Sequence, residues 1–206
     1  MHRVMNSDVI LILSDRTVND KNHVNRSMIR TATDRYWSLT VPVETEGLPA
    51  DESRVDTKMP WKHKLFSDTT RAYTGLNHLD EVQHFTKHCF DGVEGDALVD
   101  WLLAAFVATM KMLKWDRKQI FRGDTLQRRR YSNESEFLLN LALESESDRL
   151  IVGRTQKVNL NQRLFQRNQV DLELQNWYGN KKINSRDSIL DMIARYGAEG
   201  VEALFQ

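Results

Sequence analysis

Residues 154–161 read RTQKVNLN, and the fold prediction depends most on this stretch. Polar and apolar side chains alternate along it with a period of two, which is typical of a half-buried β-strand. One face consists of Gln156, Val158 and Leu160. The other face consists of Lys157, Asn159 and Asn161. The stretch therefore predicts a strand with one face of amide and ammonium groups.

Two helices are predicted to follow this strand. Residues 162–178 have the length and apolar content of one helix, and Gly179 supplies the residue type that commonly ends a helix. Asn184 and Ser185 are favourable N-cap residues, and apolar side chains recur at helical spacing after them. The predicted order is strand, helix, turn, helix.

The backbone groups of a single strand need a hydrogen-bonding partner, and no second strand is predicted in residues 154–206. We therefore expect a homodimer in which the strand pairs antiparallel with its own copy. The exposed polar face would then suit the DNA major groove, where Asn can bond adenine and Lys can bond guanine.

This C-terminal segment resembles the ribbon-helix-helix family of DNA-binding proteins, through residues 157–161, Gly179 and residues 184–189. The resemblance implies a ribbon that reads bases and a helix N-terminus that holds a phosphate. The implied ribbon residues are Thr155, Lys157, Asn159 and Asn161. The implied phosphate site consists of Asn184, Ser185 and Arg186.

Two stretches outside this segment, residues 72–76 and 96–101, are similar to AcaB-like regulators of conjugative elements. That similarity implies an activator of conjugative transfer genes.

The charges of the chain balance, with 29 Lys and Arg against 29 Asp and Glu, which argues against an extended phosphate-binding surface. They are unevenly distributed, since residues 111–131 carry 8 basic and 2 acidic side chains. A zero sum can therefore conceal a local basic surface. The predicted phosphate contacts are Arg128, Arg129, Arg130, Lys181 and Lys182.

The preceding part of the chain is predicted to be mainly helical, with short strands. The expected fold class is mainly α with short β-strands, a helical block plus a C-terminal ribbon-helix-helix dimer module. The expected domains are residues 1–150 and residues 151–206. Strands are predicted at residues 8–14 and 35–43, an exposed loop at 44–59, and helices at 77–92, at 96 to about 120, and at 134–145.

Several classes of protein are disfavoured by the sequence. No apolar run is long enough to span a membrane, and the single cysteine, Cys89, fits the reducing bacterial cytoplasm. No phosphate-binding loop or catalytic motif is present, so we expect neither an enzyme nor a cofactor. Asp80, His84 and His88 share one helix face, but the ligand set is incomplete and we predict no metal. Cys89, Trp101 and Trp115 are predicted to be packing residues.

The sequence thus favours a homodimeric, sequence-specific DNA-binding transcriptional regulator. Its partners would be double-stranded DNA, its own copy and other transcription factors, without a membrane. One alternative is a helical scaffold or interaction protein of a conjugation or phage system that only dimerises through its C-terminus. Another is a metal-dependent nuclease using Asp80, His84 and His88.

Overall fold

The computed structural model describes residues 2–15, 17–19, 24–115, 118–122, 131–153, 159–175 and 187–204. These residues form seven helices and six short strands, a mixed α and β structure. The helices are α1 (His2–Met5), α2 (Trp61–Tyr73), α3 (Leu79–His88), α4 (Leu98–Met112), α5 (Glu134–Glu144), α6 (Gln162–Arg167) and α7 (Ile189–Ala203). The strands are β1 (Val9–Ile12), β2 (Arg26–Arg30), β3 (Tyr36–Thr40), β4 (Gln119–Arg122), β5 (Arg149–Val152) and β6 (Asp171–Leu174).

The chain forms two compact units, and the first comprises Met1–Ser14 and Arg117–Tyr178. It contains two parallel strand pairs, β1 with β4 and β5 with β6. Parallel strands need a crossover connection, and α5 and α6 supply helical surface beside these pairs. Its core includes Phe137, Leu141, Val152 and Phe165, against which Leu11 packs from β1.

The second unit comprises Asp15–Asp116 and Gly179–Gln206. Strands β2 and β3 form an antiparallel hairpin in which Arg26 lies opposite Thr40 and Arg30 lies opposite Tyr36. The described helices of this unit are α2, α3, α4 and α7. A trio of aromatic rings, Trp61, Phe90 and Trp101, packs in its core with centroids 5.1 to 5.5 Å apart.

Several predicted elements are confirmed. The strand at residues 8–14 appears as β1, the strand at 35–43 as β3, and the helix at 134–145 as α5. The helix predicted from Asn77 appears as α3, with His78 rather than Asn77 at its N-cap.

The long apolar helix predicted from residue 96 is α4, and it ends at Met112 rather than near Ile120. Lys114 takes a left-handed backbone conformation with φ of 59°, which stops the helix. Ile120 then lies in β4.

The loop predicted at residues 44–59 is confirmed, since the segment contains no helix or strand, but only part of it is exposed. Ala50, Ser53 and Val55 are buried within this segment. The backbone N–H of Val55 donates to the carbonyl of Asp96 at 2.7 Å, and Val43 and Val55 form an isolated antiparallel bridge. Single bridges of this kind satisfy buried backbone groups without regular strands, so they leave no periodic pattern in the sequence.

The ribbon-helix-helix module is not shown. Residues 154–158 lie outside the described residues, and Leu160 is buried in the core of the first unit. The helix predicted over residues 162–178 ends at Arg167, because Gln169 has a φ of 59°. Strand β6 follows and pairs in parallel with β5, so the expectation of no second strand in residues 154–206 is wrong. The coarse prediction of helices with short strands holds.

No helix in the described ranges is both long enough and apolar enough to cross a membrane. The division at residue 150 and the homodimer stay predictions.

Candidate functional site

Ten of the twelve residues predicted to bind DNA lie outside the described residues. They are Arg128, Arg129, Arg130, Thr155, Lys157, Lys181, Lys182, Asn184, Ser185 and Arg186. The other two, Asn159 and Asn161, do not lie on a strand. Asn159 is exposed beside α6, and the side chain of Asn161 caps α6 by accepting from the N–H of Leu164 at 3.3 Å. Asn161 therefore has a local structural role.

The basic stretch at residues 111–131 is partly engaged within the protein. Nζ of Lys118 donates to the carbonyls of Met5, at 2.9 Å, and of Ser7. Nζ of Lys114 lies 3.0 Å from a carboxylate oxygen of Glu199. Each of these two ammonium groups already has acceptors within its own unit. This weakens the interpretation of the stretch as a phosphate-binding surface.

The proposed metal residues on α3 do not converge on a common point. The rings of His84 and His88 are 4.8 Å apart, and Nδ1 of His88 lies 2.8 Å from the carboxylate of Asp91. Within the described ranges, no three His, Cys, Asp or Glu side chains are placed to hold a metal ion.

A cleft between α2 and α3 is the candidate functional site. Its volume is about 210 Å³, below the roughly 300–1,000 Å³ typical of sites for drug-sized ligands. Three lining residues come from α2, at positions i, i+1 and i+4, which lie on one side of a helix. The other four come from the last turn of α3 and from the residues just after it. The lining residues are Lys62, His63, Phe66, Thr86, Lys87, Phe90 and Asp91.

Basic side chains form the rim of this cleft. Lys62, His63 and Lys87 are exposed, and no carboxylate of the described chain lies within salt-bridge distance of any of them. The one acidic lining residue, Asp91, is already paired with His88. The rim therefore offers positive charge that no carboxylate of the described residues pairs with.

Lys62 is held in place by an aromatic ring. Its Nζ lies 4.1 Å from the ring centroid of Trp101, a cation–π contact with the aromatic trio. A ring face does not neutralise the charge of the ammonium, so Lys62 keeps its positive charge.

The floor of the cleft is apolar. Phe90 is 8% exposed and Thr86 is 5% exposed, and Phe66 completes the floor from α2. Cys89 adjoins this region and is buried, and burial raises the pKa of its thiol to about 12. The prediction of Cys89 as a packing residue is confirmed, as is the buried packing of Trp101 and Trp115.

A second polar cluster in the same unit surrounds Asp191. Its carboxylate is fully buried and accepts from the N–H of Arg30 at 2.6 Å, the N–H of Ser188 at 2.6 Å and the hydroxyl of Tyr73 at 2.9 Å. Ser188 and Asp191 also form a reciprocal capping box, since the Ser188 hydroxyl accepts from the N–H of Asp191. The cluster joins β2, α2 and α7, which is a structural role.

Beside this cluster, Arg30 makes a two-pronged ion pair with Asp187. The Nε–Oδ1 distance is 2.8 Å and the Nη2–Oδ2 distance is 2.9 Å. The pKa of Tyr73 is raised above its ordinary value, mainly because the side chain is buried and also because the Asp191 carboxylate is close. This phenol therefore stays protonated. A neutral, buried phenol that donates to a buried carboxylate does not reach a ligand.

Sequence reasoning missed the cleft because it missed α2. A signal was present in residues 60–73, where Pro60 precedes Trp61, Leu65, Thr69 and Ala72 at helical spacing. The packing of α2 against α3 is a long-range contact that local patterns do not encode.

The fold and the cleft define a mixed α and β protein with a small basic pocket built on two helices. The sequence matches the WbqC-like protein family over residues 1–203, so the chain belongs to the WbqC-like protein family. Neither a curated protein nor a solved structure gives a significant match.

The family assignment corrects the resemblance to ribbon-helix-helix and AcaB-like regulators. The match covers almost the whole chain, and this family is not known for ribbon-helix-helix DNA-binding regulators. The prediction of a DNA-binding activator of conjugative transfer genes is therefore wrong.

Proposed function

We propose that the protein binds a small anionic ligand in the cleft between α2 and α3. The observation that carries the proposal is the pair of exposed ammonium groups, Lys62 and Lys87, beside the imidazole of His63 and around an apolar floor, with no carboxylate of the described chain within salt-bridge distance. An unneutralised set of cations attracts an anion, and a concave apolar floor removes part of that anion from water.

The proposal treats the protein as a binding protein, in keeping with the expectation that it is not an enzyme. A cytoplasmic location belongs to the same proposal. It is supported by Cys89, a free and buried thiol that a reducing compartment would preserve.

The test is calorimetric titration of the full chain at low ionic strength, where exposed charges are least screened. Cyclohexanecarboxylate and its uncharged amide have nearly the same shape, so their comparison isolates the charge. We expect the carboxylate to bind at least roughly tenfold more tightly than the amide.

Two variants locate the binding site. Lys62→Met keeps an unbranched side chain against Trp101 and removes the charge, and it should weaken carboxylate binding roughly tenfold. Lys111→Met, on α4, makes the same charge change outside the cleft lining and should leave the affinity unchanged. Equal affinities for wild type and Lys62→Met would refute the proposal.

A further inference from the structure

We infer that the ligand is a carboxylate with an apolar ring or branched body, and that the cleft discriminates against hydroxylated bodies such as sugars. This inference rests on the proposed function and specifies its ligand class. The observation behind this inference is that the floor of the cleft has little capacity for hydrogen bonding. The observation behind the proposed function is the positive charge of the rim.

Among the described residues, the floor offers a ligand few hydrogen-bonding groups. Phe66 and Phe90 present phenyl rings. The hydroxyl of Thr86 donates to the carbonyl of Val82 at 2.9 Å, and it lies 3.5 Å from the hydroxyl of Thr69, which has a nearer acceptor in the carbonyl of Leu65 at 2.9 Å. The single proton of the Thr86 hydroxyl is therefore committed inside the protein, and this residue is only 5% exposed.

A hydroxylated body would lose hydrogen bonds to water on this floor without replacing them. Each unsatisfied hydroxyl costs about 1–3 kcal/mol by the general scale for buried polar groups. An apolar body has the opposite balance, since it gains from each part of its surface removed from water.

The rim carries charges of both signs. Lys62 and Lys87 attract a carboxylate, while Asp91 places a negative charge on the same lining. The Asp91 carboxylate lies 2.8 Å from Nδ1 of His88.

The test compares cyclohexanecarboxylate with glucuronate, which joins the same charged group to a six-membered ring rich in hydroxyls. We expect the apolar acid to bind the full chain at least roughly tenfold more tightly. Glucuronate binding as tightly or more tightly, with dependence on Lys62, would overturn this inference and leave the proposed function standing. The absence of binding by either acid would overturn both.

The variant Phe66→Tyr tests the role of the floor. It adds one hydroxyl to the floor and leaves the charges of the rim unchanged. The preference for cyclohexanecarboxylate over glucuronate should narrow in this variant. An unchanged preference, in a variant that folds as the wild type does, would show that the floor does not select the ligand.

Discussion

Gly197 lies where α7 kinks and approaches the beginning of α3. Its φ of 73° belongs to the left-handed region, and a Cβ added there would lie 2.7 Å from Cε1 of His78. The same joint contains Glu81, whose Oε1 lies 2.7 Å from Nδ1 of His78 and whose Oε2 accepts from the N–H of Ala198 at 2.8 Å. Only glycine satisfies both the backbone angle and the close approach.

We therefore predict that Gly197→Ala lowers the free energy of unfolding by about 1–3 kcal/mol or more. Urea denaturation measures the change. Gly200→Ala is the matched control, because Gly200 lies in the same helix and an added Cβ meets only Tyr196, at 3.3 Å. The control should stay within about 1 kcal/mol of wild type. A Gly197→Ala protein as stable as Gly200→Ala would contradict this account of the joint.

The buried carboxylate of Asp191 predicts a pH dependence of stability. Burial raises the pKa of Asp191, against the opposing effect of its hydrogen bonds from Arg30, Ser188 and Tyr73. The folded protein therefore retains this proton to a higher pH than the unfolded chain does. The stabilising contribution of Asp191 should fall as the pH rises from the unfolded pKa of about 3.9 through the raised folded value.

Denaturation of wild type and Asp191→Asn across this pH range checks the sign. The difference in free energy of unfolding, wild type minus variant, should decrease as the pH rises, because the other titrating groups are common to both proteins. An increase over the same range would mean that the hydrogen bonds outweigh burial and that the folded pKa is lowered.

At the scale of elements, α5 depends on a side-chain cap. The side chain of Asn133 accepts from the N–H of Glu136 at 3.0 Å, and a carboxylate oxygen of Glu136 accepts from the hydroxyl of Ser132 at 2.6 Å. Removal of the cap by Asn133→Ala should cost about 0.5–2 kcal/mol of stability. Asn140→Ala, in the interior of the same helix, should cost less, because alanine favours a helix interior. Chemical denaturation of the two variants compares them, and equal losses would argue against the cap.

Elements with strong local signals could be predicted from the sequence. Helix α5 carries its cap and its apolar stripe within residues 133–145, and β1 is a short apolar run bounded by polar residues. The pair α6 and β6 could not be predicted in this way. Leu164, Phe165 and Val170 fit one long helix as well as they fit a helix followed by a strand. The left-handed residue that ends the helix, Gln169, is of a type that does not favour this conformation, so the sequence does not predict a turn there.

At the scale of the whole molecule, the missing information is long-range pairing. The parallel pairing of β5 with β6 makes residues 171–174 a strand, and their polar and apolar side chains do alternate, but four residues are a short signal inside a segment that also fits a helix. The cleft depends in the same way on two helices brought together. The lining residues near α3 lie in a helix that the sequence predicts over 77–92, but no local pattern marks them as part of a cleft.

The balanced charge of the chain can be interpreted only when the contacts of the individual charged residues are known. The basic residues near 111–131 are partly paired inside the protein, whereas Lys62 and Lys87 have no acidic partner in the described chain. Counting charges along the sequence could not distinguish engaged cations from available ones.

The most direct test of the central claim is an NMR titration of the isotope-labelled full chain with cyclohexanecarboxylate. The proposal predicts that the largest backbone amide shifts fall in residues 62–66 and 86–91, and that Lys62→Met reduces them at the same ligand concentration. Large shifts confined to other parts of the chain, or shifts that persist unchanged in Lys62→Met, would contradict the assignment of the cleft as the binding site.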